Sequence, residues 1–330
     1  MPMADLQQDF ALAVDIGGTK AALAFVNQQG CLLSPVEKHP VPFDDQHRAV
    51  PEKLLDIIAP YTEKARSMPG RFRGIGLSLC GNIDMQTGEA VLVANLHWRY
   101  VPFGQMVKDR FGLPVYAATD VRMAALAEVM WGAARGARNF AWCTVGTGYG
   151  GYLFLNGQLF DGSHGFAGNF GHMTLDEIHG DPCGCGRNGC FESFVSGPAI
   201  ARAGQRAAEN GRSPALQAVA VERCVTTRDV FAARAAGDAE AAAIIDQVIR
   251  LIAINLGGLV NILDLDIIIM GGGVVNASSD FVPLVDRRIR NYLMTEEAVR
   301  DLKLVKESFE NSALIGAAAD VFVREGLLKL

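Results

Sequence analysis

Two stretches of the chain repeat one pattern of apolar and polar positions. "ALAVDIGGTKAALAFVNQQG", from Ala11, and "AWCTVGTGYGGYLFLNGQL", from Ala141, each run as an apolar segment, a tight glycine-rich loop, a second apolar segment and an Asn/Gly turn. That pattern predicts a β-hairpin with a polar loop at its tip, and its repetition predicts two related domains. "RGIGLSLCG" and "PVYAATD" read as buried strands, and "DVRMAALAEVMWGAARG" as an Ala-rich helix that Asp120 starts and Gly136 stops. Residues 197–262 read as largely helical, followed by the strand "LDIIIMGGG" and a last helix around "SALIGAAADVFVREGLL". The alternation predicts an α/β protein with mixed sheets.

With 330 residues, half of them hydrophobic, the chain exceeds what one core usually supports, and two domains are expected. The net charge of −6 and isoelectric point near 5.6 give no general attraction for a phosphate backbone or an anionic bilayer, so neither nucleic acid nor a membrane is an expected partner. The opening "MPMADLQQDF" lacks the cationic and apolar segments of a secretion signal, so a cytoplasmic location is expected. "LIAINLGGLVNIL", the longest apolar stretch, is too short to span a bilayer and reads as a buried helix packed closely at Gly257 and Gly258. Seven cysteines, three of them clustered, suit a reduced compartment with one metal site better than a disulfide framework. Cys31, Cys80, Cys143 and Cys224 lie apart and read as buried small apolar residues.

Candidate chemistry falls at five places. In "DIGGTK", Gly17 and Gly18 turn the backbone sharply beside the Asp15 carboxylate, with Thr19 and Lys20 adding a hydroxyl and a cation. This suits a phosphate and Mg²⁺, which takes only one or two protein carboxylates; a plain hairpin tip is the alternative. The second loop satisfies G-x-G-x-x-G at Gly146, Gly148 and Gly151, but a strand follows it where dinucleotide binding needs a helix. Two such loops approaching oxyanions from opposite sides would hold a polyphosphate in a cleft between domains. Gly271, Gly272 and Gly273 follow a buried strand, an adenosine-binding edge or a tight turn. Asp120 is a helix N-cap or a proton acceptor, and the helix N-terminus favours its ionised form. His172, Cys183, Cys185 and Cys190 follow H-x10-C-x-C-x4-C, a set that completes a closed, structural tetrahedral zinc site. A redox cysteine cluster is the competing reading. His97, His164 and His179 read as surface or turn residues.

In order, "DIGGTK", the Asp120 helix, "GTGYGG", "HGFAGNFGHM", "CGCGRNGCFES" and "IIIMGGGV" resemble the ROK family of sugar kinases and repressors over nearly the whole chain. The resemblance implies an actin-like ATPase fold, with two ribonuclease-H-like domains around a central cleft. They would span residues 1–121, joined by a returning helix at about 312–330, and residues 122–311, carrying the zinc loop and the helices of a homodimer. It makes Asp120 the general base that activates a sugar hydroxyl, at the 6-position, toward ATP, and Asp15 a partner of Mg²⁺. Gly17, Gly18, Thr19, Lys20, Gly146, Thr147, Gly148 and Gly150 become the phosphate cradle. Asn95, Thr119, Asn169, His172 and Glu192 would meet the sugar. Family repressors carry a DNA-binding domain ahead of the first phosphate loop. Only fourteen residues precede Asp15, so a repressor is not expected. Thr119 stands where family glucokinases have Asn, and Asn169 where they have Glu. An unpaired buried group costs about 1–3 kcal/mol, so these departures predict an atypical hexose or N-acetylhexosamine substrate. The other-class reading is a sugar-binding or regulatory member with little or no turnover.

Overall fold

The computed structural model describes residues 8–330, so the reading of the first seven residues lies outside it. The first half of the chain runs β1 (Asp9–Ile16), β2 (Lys20–Asn27), β3 (Glu37–Pro40), α1 (Pro51–Ser67), β4 (Arg71–Leu79), β5 (Asn82–Asp84), β6 (Glu89–Val93), β7 (Trp98–Val101), α2 (Phe103–Phe111), β8 (Val115–Thr119) and α3 (Asp120–Trp131). There follow β9 (Phe140–Val145), β10 (Tyr149–Leu155) and β11 (Gln158–Leu159). After them come α4 (Glu192–Val195), α5 (Gly197–Glu209), α6 (Pro214–Glu222), α7 (Thr227–Ala235) and α8 (Ala239–Leu263). The chain ends with β12 (Ile267–Gly271), α9 (Phe281–Ile289), α10 (Glu296–Asp301), β13 (Lys303–Lys306) and α11 (Ser312–Arg324).

Both expected hairpins form: β1 pairs antiparallel with β2 and β9 with β10. The two five-stranded sheets share one plan, β3-β2-β1-β4-β8 and β11-β10-β9-β12-β13. In each, the first hairpin strand also pairs parallel with a later strand, β1 with β4 and β9 with β12. A strand paired this way is covered on both faces and must be apolar throughout, which accounts for the unbroken runs in the sequence. The chain divides into two compact units, one formed by residues up to 136 with 157–167 and 307–330, the other by 137–156 with 168–306.

In the first unit β1 sorts its side chains by size. Phe10, Leu12, Val14 and Ile16 join the core that includes Leu54 and Ile58 of α1, while Ala11 and Ala13 face the cluster containing Leu314 and Val321 of α11. The small residues let α11 lie almost on the sheet. A Cβ added at Gly76 would stand 1.9 Å from the Ala317 carbonyl oxygen, and one at Gly316 would stand 1.6 Å from that of Met123 in α3. Gly316→Ala is therefore expected to destabilise the protein by about 2 kcal/mol or more, because overpacking outweighs the roughly 1 kcal/mol gained by replacing a helical glycine. Urea unfolding measures it; a variant as stable as the parent would contradict the packing. Between α3 and α11, the buried Arg122 guanidinium bridges Asp320 at 3.0 Å and Asp161 at 3.2 Å.

Four readings need correction. The Ala-rich helix stops at Trp131, capped by Gly132 rather than Gly136. The stretch "LIAINLGGLVNIL" is the second half of α8, a 25-residue helix long and apolar enough to cross a membrane. Its apolar window is 61% buried inside the second unit, which is how a core helix passes the same length test. Gly258 of that helix packs against nothing within 4 Å, whereas Gly257 does abut Tyr292. Of the four scattered cysteines only Cys143 is buried; Cys31 and Cys224 are exposed and Cys80 is half-buried.

Candidate active site and metal centre

In the first unit the ends of β1, β4 and β8 assemble the chemistry. Asp15 lies opposite Ser78 in the parallel register, and the Ser78 hydroxyl donates to Asp15 Oδ1 at 2.6 Å. Thr119 lies opposite Leu79, so Cys80 and Asp120 follow side by side. Asp120 is the first residue of α3. Its Oδ1 accepts from the Val121 backbone N–H at 2.9 Å and from the Thr119 hydroxyl at 3.1 Å. The Thr119 proton is thereby committed to the neighbouring carboxylate.

Burial pushes Asp15 up to about 6; the Ser78 hydrogen bond opposes this and the negative Asp120 adds to it. Burial also raises Asp120, against the hydrogen bonds from Val121 and Thr119. The helix N-terminus named in the sequence reading is thus the lesser influence on Asp120. Desolvation of the charged form is the greater. Both carboxylates keep part of their surface open to solvent. The Cys80 thiol, facing both carboxylates and hydrogen-bonded by the Asn95 side chain, is pushed up to about 12, chiefly by burial.

The first glycine loop closes with a hydrogen bond from Gly17 N–H to the Lys20 carbonyl at 2.9 Å. A Cβ on Gly18 would stand 2.8 Å from Asn95 Cβ, so the loop backbone rests on Asn95. Thr19 and Lys20 are exposed.

The second glycine loop, in the other unit, is tighter than the sequence implied: Gly150 and Gly151 already belong to β10, Gly150 opposite Thr144. Gly146 N–H bonds the Gly148 carbonyl at 2.9 Å, and the Gly146 carbonyl accepts from Gly197 N–H at 2.7 Å, where α5 begins. Thr147 is exposed at the tip. Gly148 leaves room for Glu192, whose Oε2 would lie 2.8 Å from a Cβ there and accepts from Tyr149 N–H at 2.9 Å. Gly272, at φ +100°, packs against the Val145 carbonyl, and Gly271 is buried at the end of β12.

Beside Gly146, Thr147 and Gly273 opens a cavity of about 1040 Å³, walled by Val225, Phe231 and Ala235 and offering polar groups at Thr226, Arg228 and Asn276. None of the α5–α7 residues was singled out from the sequence. They come from segments far apart in the chain, and no local motif announces them. Also missed was Asn255: its Oδ1 accepts from the buried Tyr149 hydroxyl at 2.8 Å, and its amide reaches the Phe170 carbonyl at 3.4 Å. This network fixes the segment carrying Asn169 and His172 against β10. Gly168 and Gly171 make the approach possible, since Cβ atoms there would collide with the backbone of Gly151 and Tyr149. Asn169 is exposed and His172 half-buried.

The thiols and imidazole named from spacing do converge. One ligand atom each from His172, Cys183, Cys185 and Cys190 lie within 4.8 Å of one another. Cys183 Sγ is 3.5 Å from His172 Nδ1, and Cys185 Sγ is 3.6 Å from Cys190 Sγ. Two thiolates on one zinc stand about 3.7 Å apart in tetrahedral geometry, so the donor set fits the metal. Short bridges between Thr174 and Cys190 and between Pro182 and Asn188 hold the loop, and Arg187 donates to the His172 carbonyl at 3.2 Å. Glu192 follows Cys190 by two residues and accepts from Tyr149 N–H, which places this centre beside the glycine loop; its Oε1 lies 3.4 Å from Cys183 Sγ. His97, His164 and His179 are exposed, as expected.

Comparison with known proteins gives the same family over nearly the whole chain. The sequence model of the ROK family matches residues 11–323. A glucokinase of Halalkalibacterium halodurans is 31% identical over 290 residues, 87% of each chain. An N-acetylmannosamine kinase of Citrobacter koseri is 32% identical over 311 residues, 93% of this chain and 97% of that one. Among solved structures, a ROK family glucokinase from Streptomyces griseus in complex with glucose and AMPPNP superposes with a TM-score of 0.78 at 27% identity, covering 94% of this chain and 98% of that one. Matching sheet order, paired glycine loops and a Cys/His cluster meet a family match over nearly every described residue: the chain belongs to the ROK family and has its actin-like ATPase fold.

Proposed function

We propose that this chain is an ATP-dependent kinase of a hexose or N-acetylhexosamine, with Asp120 as the general base for the 6-hydroxyl. The observation that carries the reading is the placement of two partly buried carboxylates, Asp15 and Asp120, at the same edge of one sheet, on the ends of β1 and β8 to either side of β4 and beside a glycine loop. Phosphoryl transfer passes through a loose transition state and needs an oriented proton acceptor more than a strong base. Both hydrogen bonds to Asp120 fall on Oδ1, so Oδ2 is assigned the sugar proton. The reaction then takes the hydroxyl proton to Oδ2 as the sugar oxygen bonds the γ-phosphorus and the bond to the ADP oxygen breaks.

Asp15 would hold Mg²⁺, which when bound neutralises charge on the phosphates. Each glycine loop would offer backbone N–H groups to phosphate oxygens, and the cavity beside Gly146 would take the adenosine. Asn95 in the first unit, and Asn169, His172 and Glu192 in the second, are each assigned contacts to sugar hydroxyls. The zinc ligated by His172 and the three cysteines is structural, since four protein donors leave no open position. The glucokinase and N-acetylmannosamine kinase relatives support a sugar as acceptor. The residues at 119 and 169 support a specificity different from that of ordinary glucokinases.

Because Asp15 must lose its proton to take a cation, Mg²⁺ affinity is expected to fall as the pH drops through about 6. Titration calorimetry in buffers of different ionisation enthalpy measures the released proton at pH 5.5. A pH-independent affinity between pH 5 and 8 would remove Asp15 from the role. For the activity itself, sugar-dependent ATP consumption by the parent against Asp120→Asn is the test.

A further inference from the structure

Close to Asn95, two histidines hold backbone conformations that side chains rarely adopt: His97 at φ +54° and His47 at φ +58°. Non-glycine residues in this region are uncommon, and such conformations gather at ligand-binding sites. The surroundings hold both in place. Trp98 Nε1–H donates to the Ala49 carbonyl at 2.7 Å, and Ala49 N–H donates to the Leu96 carbonyl at 3.0 Å, which joins the loop over residues 41–49 to the turn over residues 94–97. Asp44 Oδ1 accepts from Gln46 and Arg48 N–H groups, shaping the first loop around His47. Val41 N–H, at the start of that loop, bonds the Thr19 carbonyl of the first glycine loop at 3.0 Å.

The rings meet as a layered set. His47 stacks on Phe43 with centroids 4.7 Å apart and planes 13° from parallel, and His97 meets His47 edge to face at 5.9 Å. Phe43 is half-buried, while both imidazoles are exposed. Leu96 is buried, so the turn directs Asn95 and His97 away from the core, and Asn95 rests against Gly18 and beside Cys80 at the carboxylates. Exposed rings held by a strained, hydrogen-bonded frame, two residues from a group beside the reacting carboxylates, form a surface suited to a pyranose. The ring C–H face covers an aromatic plane, and imidazole nitrogens pair with hydroxyls.

We propose that His97, supported by His47 and Phe43, is a recognition element for the sugar substrate and helps select which sugar is taken. The proposal rests on the sugar-kinase reading above. Its test uses His97→Gly, which keeps the positive φ without strain, alone and combined with His47→Ala. Calorimetric binding and steady-state kinetics are run with glucose, mannose, N-acetylglucosamine and N-acetylmannosamine. Loss of one ring and one hydrogen bond is expected to raise the dissociation constant and KM of the preferred sugar about tenfold. The KM for ATP and the thermal midpoint should stay close to the parent's. Unchanged sugar affinity in both variants overturns the proposal while leaving the kinase intact. A parent that binds a sugar without phosphorylating it overturns the kinase reading, and the variants' affinities still judge His97. A parent that binds none of the four overturns both.

Discussion

Asp120→Asn is expected to lower turnover about 10³-fold while leaving sugar affinity within a few-fold of the parent. General-base removal typically costs 10²–10⁴ in rate, and 10³ corresponds to about 4 kcal/mol of transition-state stabilisation. The amide is the right size for the site and still offers Oδ1 to the Val121 N–H and the Thr119 hydroxyl. What it loses is the oxygen proposed to take the proton. A structural role would behave differently under the same change. Burial raises the Asp120 pKa, which means the folded protein disfavours its charge, so the neutral isostere should be as stable as the parent or more stable near pH 7. Loss of activity together with loss of stability would mark Asp120 as a support of the helix's first turn. Loss of activity with stability held or raised marks the base. Kinetics and urea unfolding on one preparation separate the two.

Removal of the metal is expected to have the second largest effect. With four protein ligands a bound zinc would leave no place for water, so it would contribute folding free energy and not chemistry. A ligand present at about a thousand times its dissociation constant stabilises by about 4 kcal/mol, and each kcal/mol moves the midpoint of a large domain about 2–4 °C, so chelation should lower it by about 10 °C. Cys190→Ser should do the same and abolish stoichiometric zinc, since Cys190 is fully buried and bridged to Thr174. The kinetic consequence follows from Glu192, two residues after Cys190, whose carboxylate accepts from the Tyr149 N–H of the second glycine loop. Disorder at the cysteines should reach that loop, raising KM for sugar and ATP together. Hydrogen exchange should localise the change to residues 172–192 and 146–150. If metal analysis finds no zinc, or chelation leaves the midpoint unmoved, the bracing role is wrong.

How far the sequence reaches is clear from particular residues. The hairpins were legible because strands covered on both faces must be continuously apolar and their loops glycine-rich, as at Ala11–Lys20 and Ala141–Gly150. The metal cluster was legible because its ligands lie within one short segment, with Gly186 and Gly189 at positive φ to permit the wrap. The cavity beside Gly146 was not legible. Val225, Phe231 and Asn276 are unremarkable in their own segments and become a wall only through packing. The burial of single cysteines was misread because nothing near Cys31 or Cys224 records which side of a segment meets the core. The upward shift of Asp120 was not legible because its helix position is local information, whereas its burial depends on packing by residues distant in the chain.

The central claim is that this chain moves a phosphoryl group from ATP to a sugar. The most direct measurement is ATP consumption by the purified protein with Mg²⁺ against hexoses and N-acetylhexosamines, with ³¹P NMR of the products. The account predicts turnover on a restricted set of these sugars, one phosphate monoester formed at a primary hydroxyl for each ADP released. No sugar-dependent ADP and no ester across the panel would contradict it and leave a sugar-binding protein on a kinase fold.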